Sequence, residues 1–215
     1  MGTGFASVIV DVDSTLCGIE GIDWLAALRG SPVEREVAGL TDLAMAGEIA
    51  LDAVYGERLA IVRPTRDEVA ALAKAYQGAL APGAESSIRR LSAEGRRVVL
   101  VSGGLREAIL PVATRLGIAA SDVYAVSVQF DAIGGYAGFD RESPLATAAG
   151  KATIVASLSL PPRVLAMGDG ATDLAMRRAV DAFAAFTGFV RRETVVNQAD
   201  MVLESFVELL EVVLM

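Results

Sequence analysis

Three short apolar runs, each ending in a polar or glycine-rich cluster, constrain the fold of this chain more than any other feature. They are Phe5–Val10, Arg97–Val101 and Val164–Met167, and each has the length and β-branched content of a buried strand. Each run leads into a segment with helical character. Because strands that alternate with helices form parallel sheets covered by helices, we expect an α/β fold with a Rossmann-like parallel sheet.

Further elements follow from local patterns. Three segments have helical character: Ala84–Ala93, Leu105–Leu116 and Ala171–Val180. Ala182–Ala185 and Met201–Leu203 are candidate strands. Tyr124–Phe130 and Tyr136–Phe139, joined around two glycines, predict a hairpin appended to the sheet. Ser205-x-x-Glu208 is a capping box, which predicts a last helix over Phe206–Leu214.

Residues 16–78, called the insert below, lack strand-like runs. Ser31-Pro32-x-Glu34 and Thr65-x-x-Glu68 are helix-start signals. Apolar residues recur at helical spacing in the second half of this segment: Leu51, Val54, Tyr55, Leu59, Val62, Val69, Leu72, Tyr76 and Leu80. We therefore expect a helical-bundle cap domain over residues 16–78, inserted after the first strand of a core domain formed by residues 1–15 and 79–215.

The chain has one cysteine and no histidine among its 215 residues. No intramolecular disulfide can form, which favours a cytoplasmic location. A Ser–His or Cys–His nucleophile pair and an imidazole zinc site are excluded. Any acid–base chemistry must therefore come from carboxylates, lysine, tyrosine or Cys17.

The formal net charge of −8 argues against a nucleic-acid partner, which requires a basic face. The longest stretch free of charged residues, Ala152–Pro162, is too short for a membrane-spanning helix, and we expect no membrane partner and no signal peptide. An anionic substrate would need a local positive field, supplied by a metal ion or by a few placed lysines and arginines.

The polar clusters after the three runs suggest a shared site. They are Asp11-Val12-Asp13-Ser14-Thr15, Ser102-Gly103-Gly104 and Gly168-Asp169-Gly170-Ala171-Thr172-Asp173. Ligands of open α/β sheets bind beyond the carboxyl ends of the strands, so four aspartates would converge if the strands are neighbours. Crowded carboxylates repel one another, and a hard divalent cation such as Mg²⁺ relieves that repulsion. The alternative is that these aspartates are N-caps of the following helices.

On these motifs the sequence resembles the haloacid dehalogenase-like phosphatases. Asp11–Leu16 matches their first motif, Ser102-Gly103 the second, Lys151 the third and Gly168–Asp173 the fourth. Within that family, the chain is similar to members that hydrolyse phosphoserine. Four further segments carry this second similarity: Glu20–Asp23, Ala44–Gly47, Glu57–Leu59 and Phe206–Leu210.

The resemblance implies roles for the aspartates. Asp11 is expected to be the nucleophile and to form an aspartyl-phosphate, which needs no histidine. Asp13 is expected to protonate the leaving hydroxyl, to deprotonate water later, and to bind Mg²⁺ through its backbone carbonyl. Asp11 and Asp169 are the expected carboxylate ligands of Mg²⁺, and Asp173 is expected to support the metal shell or Lys151.

The same resemblance implies a phosphate-binding group. Ser102, Gly103 and Gly104 are expected to cradle the phosphate at a helix N-terminus, and Lys151 to neutralise its oxygens. The alternatives are a tight turn in which Ser102 is a helix N-cap, and a solvated surface position for Lys151.

Substrate selection is expected to lie in the insert. Glu20 would bind the ammonium of phosphoserine and Arg58 its carboxylate, whereas sequence patterning alone leaves both as solvated surface charges. Met45 and Ala46 are expected to contact the substrate, with packing in the core of the cap as the alternative. Thr172 is a further expected contact, with helix capping as its alternative, and Arg192 is expected in a supporting position.

The implied function is Mg²⁺-dependent hydrolysis of O-phospho-L-serine to serine and phosphate, the last step of L-serine biosynthesis. The alternatives are a phosphatase or phosphotransferase for another small phosphomonoester, such as phosphohomoserine or phosphothreonine, and a non-catalytic sensor of a phosphorylated metabolite. The apolar segment Phe206–Met215 leaves both internal packing and a homodimer open.

Overall fold

The computed structural model describes residues 4–46, 48–49 and 51–215, with the backbone alone at residues 45, 51 and 53. The strands are β1 (Ser7–Val10), β2 (Arg97–Leu105), β3 (Val123–Val126), β4 (Val128–Phe130), β5 (Tyr136–Phe139), β6 (Val164–Gly168), β7 (Ala182–Phe186) and β8 (Met201–Leu203). The helices are α1 (Gly21–Ala27), α2 (Ser31–Ala46), α3 (Leu51–Val62), α4 (Arg66–Gly78), α5 (Ala84–Ala93), α6 (Arg106–Leu116), α7 (Gly150–Ser157), α8 (Ala171–Leu174), α9 (Glu193–Val196) and α10 (Phe206–Leu214).

A six-stranded parallel sheet with the strand order β3-β2-β1-β6-β7-β8 forms the centre of the molecule. β1 lies between β2 and β6, with Ile9 in register with Val99 on one side and Ala166 on the other. All four β1 residues are buried, as a strand covered on both faces requires. The expected α/β fold with a Rossmann-like sheet is therefore confirmed.

Three predicted elements differ in the structure. Tyr124–Phe130 does not form one hairpin strand: β3 joins the main sheet beside β2, and only β4 pairs with β5. β2 continues four residues beyond Val101, to Leu105. The helix predicted over Ala171–Val180 is α-helical only to Leu174 and then tightens into a 3₁₀ segment.

The three predicted helix starts are found: α2 begins at Ser31, and Thr65 and Ser205 have side-chain caps, of which the second lacks one half of the capping box. The Thr65 side chain and the Glu68 amide form one half of the first capping box, and the Glu68 carboxylate and the Thr65 amide form the other. Ser205 accepts from the Glu208 amide as predicted, but the Glu208 carboxylate accepts from the amide of Glu204 instead of that of Ser205. Each arrangement satisfies backbone N–H groups that a helix start leaves unpaired.

The insert contains α1 to α4, and strands of the main sheet lie outside it. Its two connections to the core run side by side, because the Gly18 amide donates to Ala79 O over 2.8 Å and the Ala81 amide to Leu16 O over 2.9 Å. Helix α4 packs against the core helix α6. No helix in the described part of the chain combines the length and the hydropathy needed to cross a membrane.

Candidate active site

The three sequence clusters meet at one edge of the sheet. β2, β1 and β6 are neighbours, and their carboxyl ends bring together Ser102 of β2, Asp11 after β1 and Asp169 after β6. The convergence predicted for the aspartates follows from this strand order. One pocket is lined by the following predicted site residues: Asp11, Asp13, Glu20, Arg58, Gly103, Gly104, Lys151, Asp169 and Thr172.

Asp11 is buried beside the amine of Lys151. Lys151 Nζ lies 2.6 Å from Asp11 Oδ1 and 2.6 Å from Asp173 Oδ1, so the lysine bridges two carboxylates. Burial raises the pKa of Asp11 well above its ordinary value and the charge of Asp173 adds to this, while Lys151 opposes it. Burial lowers the pKa of Lys151, but the two carboxylates outweigh that effect and raise it. The solvated surface position considered for Lys151 is therefore wrong, since the residue is 6% exposed.

Three buried carboxylates could hold a cation. Oxygen atoms of Asp11, Asp169 and Asp173 lie within 4.8 Å of one another. Carboxylate oxygens are the donors that Mg²⁺ prefers, and the negative charge of Asp173 is the second cause, after burial, of the raised pKa of Asp11. The residues present therefore fit a hard divalent cation. The predicted role of Asp13 in metal binding concerns its backbone carbonyl, and its side chain is not part of this cluster.

Asp169 and Asp173 are held by residues around the cluster. The Thr15 hydroxyl donates to Asp169 Oδ1 over 3.0 Å, and the Arg192 guanidinium donates to Asp169 Oδ2. Asp173 Oδ2 accepts from the Gly170 amide over 2.9 Å at the start of α8. Asp173 is not an N-cap residue, because Gly170 has that position; its carboxylate lies at the third position of α8, accepts from the Gly170 amide and still contacts Lys151.

The Asp13 carboxylate contacts both the insert and the end of β2. Its Oδ1 accepts from the Gly21 amide and from the Tyr76 hydroxyl, each over 2.6 Å, and its Oδ2 lies 3.3 Å from Ser102 Oγ. Desolvation raises the pKa of Asp13, while the hydrogen bonds from Tyr76 and Gly21 act in the opposite direction. A carboxyl group with a raised pKa is suited to exchanging protons with a ligand.

Ser102, Gly103 and Gly104 belong to the end of β2 and lie just before α6, which begins at Arg106. The N-cap position of α6 is Leu105, which makes the N-cap alternative for Ser102 wrong. Ser102 Oγ accepts from the Gly104 amide over 2.9 Å. A Cβ atom at Gly104 would lie 2.7 Å from Asp13 Oδ2, so only glycine permits this approach.

Two charged side chains of the insert reach the same pocket. Glu20, at the N-cap position of α1, accepts from the Ser14 hydroxyl over 2.6 Å, and burial together with the charge of Asp13 raises the pKa of Glu20 to about 7. Arg58 is 5% exposed, and its Nη1 donates to Thr41 Oγ1 over 2.5 Å. Arg58 Nε is buried without a hydrogen-bond partner among the described residues. The interpretation of these two residues as solvated surface charges is therefore wrong.

The remaining predicted residues differ in position. Thr172 is buried in α8 and lines the pocket, and it is not the N-cap of that helix, because Gly170 is. Ala46, at the C-terminal end of α2, is not among the described residues that line the pocket. The side chain of Met45 lies outside the described residues. Arg192 contacts Asp169, as reported above.

Sequence reasoning missed several polar contacts made by residues that it assigned to the apolar core or did not consider. Tyr76 was predicted only as part of an apolar helix face, and Tyr55, whose hydroxyl donates to Gly103 O over 2.7 Å, was predicted in the same way. Thr41 was not singled out, although its hydroxyl lies between Arg58 and Asp23. The sequence offered only a general rule for predicting these contacts, namely that a buried tyrosine or threonine hydroxyl needs a hydrogen-bond partner.

Comparisons with known proteins identify the protein family to which this chain is similar. The profile of the haloacid dehalogenase-like hydrolase family matches residues 8–178. The phosphoserine phosphatase of Homo sapiens is 38% identical over 207 residues, which cover 95% of this chain and 91% of that protein. The chloroplastic phosphoserine phosphatase of Arabidopsis thaliana is 35% identical over 209 residues, which cover 95% of this chain and 70% of that protein.

Solved structures give the same result. A phosphoserine phosphohydrolase-like protein from Francisella tularensis superposes with a TM-score of 0.85 at 28% identity, covering 96% of this chain and 99% of that chain. A phospho-aspartyl intermediate analogue of a phosphoserine phosphatase superposes with a TM-score of 0.82 at 26% identity, covering 97% of this chain and 99% of that chain.

Proposed function

The chain belongs to the haloacid dehalogenase-like hydrolases and, among them, to the phosphoserine phosphatases, and from this we propose that it hydrolyses O-phospho-L-serine through an aspartyl-phosphate. One observation carries the proposal: Glu20 and Arg58 of the insert line the same pocket as Asp11 and Lys151 of the core. Phosphoserine has an ammonium, a carboxylate and a phosphate. In this pocket Glu20 would pair with the ammonium, Arg58 with the carboxylate and Lys151 with the phosphate.

In the first step, a carboxylate oxygen of Asp11 attacks phosphorus, and the bond between phosphorus and the serine oxygen breaks. Asp13 gives its proton to that oxygen, so serine leaves as a neutral hydroxyl. Lys151, 2.6 Å from Asp11 Oδ1, neutralises charge on the phosphoryl oxygens. The structural relative solved as a phospho-aspartyl intermediate analogue supports this route.

In the second step, water attacks the phosphorus of the aspartyl-phosphate while Asp13 accepts a proton from it. The bond between phosphorus and Asp11 breaks, phosphate leaves, and the Asp11 carboxylate is restored. The amide N–H groups of Gly103 and Gly104, with the Ser102 hydroxyl, would bind the phosphoryl oxygens in both steps. Their position beside Asp13 Oδ2 supports this role.

Mg²⁺ would be held by the carboxylates of Asp11 and Asp169 and by the backbone carbonyl of Asp13. When bound, it supplies positive charge that lowers the repulsion between the nucleophile and the phosphate. Asp173 would support this site by fixing Lys151, and Arg192 and Thr15 by orienting Asp169.

The amino-acid part of the substrate would be bound by the insert. Glu20 would pair with the ammonium, and Arg58, whose Nε has no partner among the described residues, with the carboxylate. Thr172, Met45 and Ala46 remain predicted substrate contacts. The proposed product places the reaction at the end of L-serine biosynthesis, and we propose a cytoplasmic enzyme with no nucleic-acid or membrane partner.

The test is a phosphate-release assay with Mg²⁺ against phosphoserine, phosphohomoserine, phosphothreonine and simpler phosphomonoesters. We expect phosphoserine to have the highest kcat/KM, and a higher value for another ester would identify that ester as the substrate. Asp11→Asn should abolish turnover with an unchanged unfolding temperature, whereas Asp140→Asn, at an exposed aspartate, should retain it. Turnover in Asp11→Asn would contradict the assignment of the nucleophile.

A further inference from the structure

One carboxyl oxygen of Asp13 is held by two donors that both come from the insert. The amide of Gly21, the first residue of α1, and the hydroxyl of Tyr76, near the end of α4, each lie 2.6 Å from Oδ1. The other oxygen, Oδ2, faces the end of β2 and accepts from the Ser102 hydroxyl alone, over a longer distance of 3.3 Å. The two oxygens of this carboxyl group therefore have different surroundings.

Two glycines make this arrangement possible. A Cβ atom at Gly21 would lie 2.1 Å from the Tyr76 hydroxyl oxygen, and a Cβ atom at Gly104 would lie 2.7 Å from Asp13 Oδ2. The missing side chain at Gly21 leaves room for the tyrosine hydroxyl beside Oδ1. The missing side chain at Gly104 keeps Oδ2 accessible from the pocket that both Asp13 and Gly104 line.

The asymmetry decides which oxygen carries a proton. An oxygen that already accepts from two N–H or O–H donors is a poor place for a proton, because the added hydrogen would point at two others. Oδ2 has one longer contact, from the Ser102 hydroxyl, which can rotate and accept instead, so the proton of a neutral Asp13 belongs on Oδ2, which faces the pocket. Without the Tyr76 hydroxyl, the carboxyl group could turn about its Cβ–Cγ bond and present the proton away from the substrate.

We propose that Tyr76 is a positioning residue that, together with the Gly21 amide, fixes the Asp13 carboxyl group so that Oδ2 delivers the proton to the leaving oxygen. The inference rests on the acid–base role proposed for Asp13. The Tyr76 side chain is fully buried, and its helix α4 is fixed by contacts outside the pocket, namely its packing against α6 and its capping box. Removing the hydroxyl should therefore disturb Asp13 and leave the helix in place.

The test compares two substrates whose leaving groups differ in their need for a proton. The serine oxygen leaves poorly unless it is protonated, whereas the acetate of acetyl phosphate leaves as an anion. In Tyr76→Phe, kcat/KM should fall about 10–100-fold for phosphoserine and less than about 3-fold for acetyl phosphate, because kcat/KM reports formation of the phosphoenzyme. Equal losses for the two substrates would overturn the proposal.

Tyr55→Phe is the matched control. Tyr55 is also a buried tyrosine of the insert that lines the pocket, but its hydroxyl donates to Gly103 O and not to Asp13. Any loss in this variant should be equal for the two substrates. A selective loss on phosphoserine in Tyr55→Phe as large as that in Tyr76→Phe would also overturn the proposal.

Two further variants test whether Tyr76 acts through Asp13 and provide a substitute if Tyr76→Phe does not fold. On phosphoserine, Asp13→Asn with Tyr76→Phe should be no slower than Asp13→Asn alone, and an additional loss would show that Tyr76 does not act through Asp13. If Tyr76→Phe does not fold, Gly21→Ala displaces the hydroxyl while keeping the ring and should give the same selective loss. If the wild-type protein prefers another alkyl phosphate, only the proposed substrate fails, and that ester replaces phosphoserine in the comparison.

Discussion

Two basic side chains are buried at one pocket of an acidic protein. The net charge is −8, yet Lys151 and Arg58 are both buried at the pocket that also contains Asp11. A buried charge interacts more strongly than an exposed one because the surrounding dielectric constant is low. Four of the described acidic residues line the same pocket, so we expect a dianionic phosphate to depend on these two cations and on a bound metal ion, and substitutions of either cation should have large effects.

Arg58 gives the first prediction at this scale. Arg58→Ala removes the proposed charge-assisted bonds to the substrate carboxylate, so kcat/KM for phosphoserine should fall by about 10–100-fold. O-phosphoethanolamine has the ammonium but no carboxylate, and it should lose less than about 3-fold. Steady-state assays of both esters check this, with Arg63→Ala as a control, since the Arg63 guanidinium stacks on Tyr136 outside the pocket. Equal losses for both esters would indicate a structural role for Arg58.

The ionisation of Glu20 gives the second prediction at the scale of single residues. Its pKa is raised to about 7, so the carboxylate form that pairs with an ammonium is lost as the pH falls below that value. We expect kcat/KM for phosphoserine to decrease below about pH 7 more steeply than kcat/KM for phospholactate, which has no ammonium but titrates at its phosphate in the same way. Glu20→Gln should remove the difference between the two profiles. A difference that persists in that variant would assign the ionisation to another group.

At the level of elements, the ends of the strands were easier to predict than the pairing between them. β1 and β6 end within one residue of the predicted positions, because an apolar run that stops at an aspartate marks both a strand and its end. The continuation of β2 through Ser102-Gly103-Gly104 was not predicted, since glycines ordinarily weaken a strand. Likewise, the mostly apolar sequence of Tyr124–Phe130, with only Ser127 and Gln129 polar, gave no sign that its halves join different sheets.

Helix α4, which carries Tyr76, is stabilised at its start by an ion pair with Arg29. The Arg29 guanidinium contacts both Glu68 oxygens over 2.7 Å, and this pairing lowers the pKa of Glu68 to about 2. Because the pKa is lower in the folded state, the pair stabilises the protein fully above about pH 4.5, and this contribution is lost as the pH falls towards 2. We expect Glu68→Gln to lower the free energy of unfolding by about 1 kcal/mol near pH 7.

Chemical denaturation of the wild type and Glu68→Gln at a series of pH values checks this prediction. The difference between the two proteins should shrink below about pH 4.5. Glu193→Gln, which breaks the more exposed pair with Arg191, is the control and should cost less. A difference between wild type and Glu68→Gln that does not change with pH would show that the ion pair is not its source.

At the scale of the whole molecule, we expect the buried carboxylates of Asp11, Asp169 and Asp173 to couple stability to a cation. Mg²⁺ that binds only the folded state stabilises it, by about 2.7 kcal/mol at one hundred times the dissociation constant. We expect Mg²⁺ to raise the unfolding temperature and EDTA to abolish turnover reversibly. Asp169→Asn should remove the thermal shift, while Asp140→Asn should retain it. An unfolding temperature that does not respond to Mg²⁺ in the wild type would contradict the proposed metal site.

The sequence by itself determined the α/β class, the helical nature of the insert and most of the residues that line the candidate site, because strand ends, helix starts and motifs are local patterns. It also excluded histidine chemistry by composition alone. Only the tertiary structure decided which charged side chains are buried and which hydroxyl groups form hydrogen bonds with them. Glu20 and Arg58 share a pocket with Asp13, and the Tyr76 hydroxyl donates to Asp13, only because of how the insert packs on the sheet. Such contacts join residues far apart in sequence, so no local pattern encodes them.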